Sequence, residues 1–186
     1  MPGTPDMPGG SDLAAGPVPL VWEHEIDQIA PGGFLGEREA TPEERLALAK
    51  VLEILSVGSL RVAYRLRRGA DEGYRFKGKL TADVVQACIV TLAPVLDTVS
   101  AEFSVEFRPA DEVRSAEAGA INLDDDTEIE PIEGKVLSVG RVVFEELAAA
   151  LNPYPRRLGA VYEGTPEVPV VKESPFAVLG KLKKPS

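Results

Sequence analysis

Cysteine, histidine and tryptophan each occur once in these 186 residues, and that scarcity removes whole classes of chemistry. The lone Cys88 cannot close an internal disulfide. Met1–Pro19 is rich in glycine and proline and lacks the basic-then-apolar layout of a secretory leader, so the cytoplasm is the expected compartment. One histidine and one cysteine do not fill a zinc site without carboxylates. His24, in Glu23-His24-Glu25, has no evident orienting partner or nucleophile and reads as an exposed strand residue. No apolar run approaches the roughly 18 residues of a membrane span. Positive charge is short as well. A net charge of −10 argues against a protein that coats nucleic acid with its whole surface, since phosphate binding is led by lysine and arginine.

What charge there is lies unevenly. Leu60–Leu80 carries seven cations (Arg61, Arg65, Arg67, Arg68, Arg75, Lys77, Lys79) against Asp71 and Glu72, a net of +5. Glu102–Glu133 carries eleven acids against Arg108 and Arg114, a net of −9. The chain is electrically lopsided, and that bears on its partners.

A chain of this length can bury one good core. Residues 1–18 are too poor in apolar surface to offset ordering entropy and are expected to be disordered. Leu20–Ile29 alternates in part and predicts a first strand. Thr41, Pro42 and Glu44 make a capping box with proline at the first helical position, and Leu46, Ala49, Val51, Leu52 and Leu55 follow as far as Gly58. Leu60–Leu66 and Tyr74–Leu80 alternate with period two, placing Tyr64, Tyr74 and Phe76 inward and Arg61, Arg65, Arg75, Lys77 and Lys79 on one outer face. Val84–Thr91 and Val99–Phe107 extend the run to a four-strand meander. Residues 110–127 read as a mobile acidic loop. A second helix is expected over Val139–Leu151, stopped by Pro153 and Pro155, and residues 166–186 read as an extended tail.

Three motifs fail on inspection. Gly73–Leu80 has the glycines and lysine of a phosphate loop, but Leu80 stands where a hydroxyl must meet magnesium, and the segment alternates like a strand. Asp124-Asp125-Asp126 opens a calcium-like run, yet Ile129 and Lys135 occupy the places of the required glycine and glutamate. Cys88, among Val84, Val85, Ala87, Ile89 and Val90, reads as a small buried apolar side chain rather than a nucleophile.

Two stretches are explained by no catalytic arrangement. One is Gln86-Ala87-Cys88-Ile89-Val90-Thr91-Leu92-Ala93-Pro94. The other runs from Glu130-Pro131-Ile132-Glu133-Gly134 through Gly140, Val142 and Glu145 to Asn152-Pro153-Tyr154-Pro155-Arg156. With the Ala40-Thr41-x-Glu43-Glu44-Arg45 helix start and the final Pro175-Phe176-Ala177-Val178-Leu179, their order resembles the YceD family of bacterial large ribosomal RNA subunit accumulation proteins. The likeness extends from about Leu20 to the end. Many members carry Cys-x-x-Cys where this chain has Cys88 and Thr91, and an Ile-Asp-Leu-Gly-like stretch appears here as Leu137-Ser138-Val139-Gly140. The resemblance implies a part in accumulation of large-subunit (23S) ribosomal RNA and brings no catalytic residues with it.

The expectation is therefore a single α+β domain over residues 19–165, an antiparallel sheet with scope to curl toward a barrel, two helices and disordered tails. No enzyme activity, cofactor, metal, membrane or small-molecule substrate is expected. Arg61, Arg65, Arg75, Lys77 and Lys79 are the candidate RNA contacts. Asp124, Asp125, Asp126, Tyr154 and Arg156 are the candidate contacts to a basic partner such as a ribosomal protein, the rival reading being a protein-binding adaptor without RNA contact.

Overall fold

The structure, a computed structural model, describes residues 19–69, 73–117, 128–162 and 164. The expected tails, Asp124, Asp125, Asp126 and the Pro175–Leu179 segment lie outside the described residues. In chain order the elements are β1 (His24–Glu25), a 3-10 turn (Ile26–Gln28), β2 (Phe34–Glu39), α1 (Pro42–Val51), β3 (Ser56–Arg68), β4 (Tyr74–Ala87), β5 (Pro94–Pro109), α2 (Ala110–Glu117), β6 (Glu128–Ile132), β7 (Val136–Leu137) and α3 (Val139–Ala150).

The sheet is open, ordered β2-β3-β4-β5-β6, antiparallel except for β6, which runs parallel to β5. The fold class is α+β, with three helices among the described residues where two were expected. The predicted strands Tyr74–Leu80 and Val84–Thr91 are one strand: β4 continues through Thr81 and Asp83, which are polar because they face water, and stops before a turn at Cys88–Ala93. Leu20–Ile29 contributes only the two residues of β1, paired with β7, because the rest of this strap seats Leu20 and Trp22 against the core instead of pairing. Ala110–Glu117 is helical rather than loop, with Asp111 and Glu112 in its first turn complementing the helix dipole.

The capping box on α1 forms as read: Thr41 Oγ1 accepts from the Glu44 N–H (3.2 Å) and Glu44 Oε2 accepts from the Thr41 N–H (2.8 Å). Glu44 Oε1 also accepts from the Trp22 indole N–H (2.7 Å), so one side chain holds both the helix start and the strap. The helix ends in a Schellman-type turn at Glu53 (φ 54°), with the Ile54 N–H on the Ala49 carbonyl. Its buried positions are Leu48 and Ala49, while Leu46 is 73% exposed, so the inward stripe is rotated from the one expected.

Alternation along β3 and β4 does what period two demands. Val62, Tyr64, Leu66, Tyr74, Phe76 and Leu80 are buried, joined by Val99, Phe103, Val105 and Phe107 from β5 and by Val142, Val143 and Leu147 from α3. Gly78 belongs to this packing, not to a phosphate site. A Cβ there would collide with Phe103 and lie 2.9 Å from the Ala63 carbonyl, so only glycine lets the ring cross the strand. The opposite face of β3 and β4 is left to solvent.

Candidate functional site

Cross-strand register sets the outer face. Arg65 lies opposite Lys77, flanked by Leu35 on β2 and Ser104 on β5; the next row is Glu37, Ala63, Lys79 and Glu102. These side chains rim an open hollow of about 900 Å³ with Ala63 on its floor. All five predicted RNA contacts are on this face, but they are not equivalent. Arg61 pairs with Glu39 (3.3 Å), Lys79 with Glu102 (3.3 Å) and Arg75 with Glu106 (2.5 Å). Glu106 also holds Arg108 (2.9 Å), and these two guanidinium hydrogen bonds pull its carboxyl pKa below the usual range. Among the described residues no carboxylate lies within 4 Å of the Arg65 or Lys77 head groups. The sequence placed the cations on one face. It did not place β2, which brings Glu39 to Arg61, nor the register that sets Glu102 and Glu106 of the expected Val99–Phe107 strand opposite Lys79 and Arg75.

At the far end of β4 the two unexplained stretches meet. Gln86 Nε2 donates to the Asn152 carbonyl (3.0 Å), the Ile89 N–H to the Pro155 carbonyl (2.9 Å), and the Arg157 N–H to Cys88 Sγ (3.4 Å). Tyr154 N–H closes an Asx turn on Asn152 Oδ1 (2.9 Å). Residues more than sixty positions apart are thus tied into one joint by two side chain–backbone bonds and one backbone–backbone bond. Cys88 is fully buried, as expected, and the Arg157 N–H with the Thr91 hydroxyl lowers its thiol pKa from 9.0 to about 6. Tyr154 is 72% exposed on this pinned segment, and the Arg156 guanidinium donates to the Ala160 carbonyl (3.3 Å).

His24 is half-buried rather than exposed. It shares a hydrogen bond with Tyr64 Oη (2.8 Å) beside the Phe34 ring, and burial, then the Arg38 charge, lowers its pKa. That is a packing role. Three carboxylates, Glu128, Glu130 and Glu145, lie within 4.8 Å of one another and offer the oxygen donors a hard cation takes. Arg141 already bonds Glu145 (3.0 Å) and reaches Glu130 (3.9 Å), while burial raises the Glu130 pKa. An internal cation thus meets part of the demand for charge.

No curated protein and no solved structure matches the chain. A family model described as large ribosomal RNA subunit accumulation protein YceD matches residues 76–183. The match takes in β4 from Phe76 on, the Cys88 turn, α3 and the Asn152–Arg157 segment, and leaves the Ala40–Arg45 helix start outside. It covers more than half of the 186 residues, so both halves of the joint fall inside it. The chain belongs to the YceD family.

Proposed function

We propose that the protein is a non-enzymatic ribosome biogenesis factor of the cytoplasm that supports the synthesis, processing or stability of large-subunit ribosomal RNA. Family membership carries this reading. The outer face of the sheet supports a direct RNA contact there. Among the described residues the cross-strand Arg65–Lys77 pair has no carboxylate within 4 Å, unlike Arg61, Arg75 and Lys79 on the same face, and so is a local positive site over an open hollow. Arg61, Arg75 and Lys79 serve as a second rank. The exposed Arg61–Glu39 and Lys79–Glu102 pairs are worth at most about 1 kcal/mol each, so a phosphate can recruit these two cations, while Arg75 is held more firmly by the part-buried Glu106.

The test is genetic. Cells of the source organism lacking the protein are expected to show a reduced ratio of large- to small-subunit ribosomal RNA, restored by the wild-type chain. An unchanged ratio contradicts the proposal. The adaptor reading rests on the exposed Tyr154 and Arg156 and on the acidic stretch, and predicts capture of a basic protein that survives nuclease.

A further inference from the structure

Seven of the thirteen exposed large apolar side chains among the described residues lie in residues 89–96 and 154–162, the two segments that the Cys88 joint ties together. The backbone of this exposed apolar cluster is tied at Ile89, Arg157 and Ala160, which lowers the ordering entropy that binding there would cost. Between the segments is a hollow of about 690 Å³ lined by Val90, Thr91, Ala93, Arg157, Leu158 and Tyr162, within the usual size range of small-ligand sites.

Its chemistry is specific. Tyr162 is 77% exposed, and the Gly164 backbone sits so close to its ring that a Cβ at that position would collide with it, which backs the ring on one side. No carboxylate lies within 4 Å of the Arg156 or Arg157 guanidinium among the described residues, in contrast to the paired Arg61, Arg75 and Arg141. Thr91 adds a hydroxyl. An aromatic face, a neighbouring cation and a small apolar floor are what an unpaired nucleobase with its phosphate needs: the ring stacks on the base and the guanidinium meets the phosphate oxygens. A basic protein segment would meet two like charges here instead.

We propose that this hollow is a second RNA contact, which takes an unpaired nucleotide through stacking on Tyr162 and a phosphate contact from Arg157. It rests on the RNA reading of the preceding subsection but uses different residues. Lys77 and Cys88 are eleven residues apart on one extended strand and its edge, so the two contacts stand roughly 36 Å apart at about 3.3 Å per residue. One RNA can touch both only by presenting a single-stranded portion at the joint.

The test is fluorescence anisotropy with the full chain, a labelled single-stranded decamer of adenylate and a ten-base-pair RNA duplex, each titrated over a range of salt concentrations. Tyr162→Ala should weaken single-strand binding roughly five- to a hundred-fold, the usual range for loss of one stacked base. Tyr162→Phe should bind like the wild type, and duplex binding should not respond to either change. Arg157→Gln should weaken single-strand binding and flatten its salt dependence. Equal single-strand affinity for wild type and Tyr162→Ala overturns the inference, and leaves the outer-face reading intact if Arg65→Gln/Lys77→Gln weakens the duplex. Wild-type protein that binds neither RNA overturns both. Loss of a nuclease-resistant protein partner from Tyr162→Ala, with RNA affinity unchanged, also overturns the inference and transfers the hollow to a protein.

Discussion

Replacing Gly140 with alanine places a methyl group against the strap that carries Trp22. The Gly140 N–H donates to the Trp22 carbonyl (2.9 Å), and a Cβ at this position would collide with the Leu20 carbonyl oxygen and lie 2.8 Å from the Trp22 nitrogen. Both obstacles are backbone, so neither can swing aside. The gain from alanine's helix propensity is at most about 1 kcal/mol. Against it stand partial loss of seating for Leu20 and Trp22, 2% and 3% exposed, and one hydrogen bond. At roughly 1.5–3 kcal/mol for a fully buried side chain, with about half of each burial lost, plus about 1 kcal/mol for the bond and less the propensity gain, the net destabilisation is about 1.5–3 kcal/mol. For a chain of this size that lowers Tm by roughly 3–12 °C. Trp22 is the only tryptophan, so denaturant unfolding followed by its fluorescence reads both quantities: a lower midpoint and a red-shifted native emission. Gly32→Ala, with nothing within 4 Å of its Cβ, is the control and should stay within about 0.5 kcal/mol of wild type. A Gly140→Ala protein as stable as wild type, with unchanged emission, refutes the reasoning.

Thr41→Ala removes the acceptor for the Glu44 N–H and should cost about 1 kcal/mol in denaturant unfolding; a change under a few tenths would deny the cap its role. Gln86→Ala strips the Asn152 carbonyl of its donor, and should cost about 1–2 kcal/mol and lower the hydrogen-exchange protection of the Ile89 and Arg157 amides. Protection that does not move would mean the joint holds without it. Cys88 supplies a pH dependence. Its folded pKa, about 6, is below the unfolded value near 9, so the unfolded state binds more protons between these limits, and the contribution is full above pH 9 and lost as pH falls through 6. The Tm of wild type minus that of Cys88→Ala should therefore rise from pH 6 to pH 9, and a flat difference contradicts the Arg157–Cys88 hydrogen bond.

The parts of the fold that sequence made legible are those where side-chain periodicity meets a single buried face. The pairing of β3 with β4 followed from Val62, Tyr64 and Leu66 facing Leu80, Gly78 and Phe76, and α1 followed from Thr41, Pro42 and Glu44. Edge strands were illegible because they obey weaker rules. Phe34–Glu39 contains Gly36 and three charged residues and has a partner on one side only, while β6 carries Pro131, which an edge position tolerates. That omission had a consequence for the candidate site, since β2 supplies Glu39 to Arg61. The joint was hidden for a different reason: its bonds run from Gln86, Ile89 and Cys88 to backbone groups of Asn152, Pro155 and Arg157, which have no side-chain signature. The two motifs were visible separately, and only their contact was not.

The proposed role in large-subunit ribosomal RNA meets its most direct test in capture of tagged full-length protein from the native cytoplasm, washed with and without nuclease, alongside Arg65→Gln/Lys77→Gln. The account predicts nuclease-sensitive recovery of large-subunit RNA, reduced in the double variant. For purified protein on an RNA duplex, the logarithmic salt slope should fall by about 1.8, at roughly 0.9 per lost phosphate contact. Recovery and slope unchanged in the variant would contradict the outer-face contact. Recovery of a protein partner alone, indifferent to nuclease, would contradict direct RNA contact altogether.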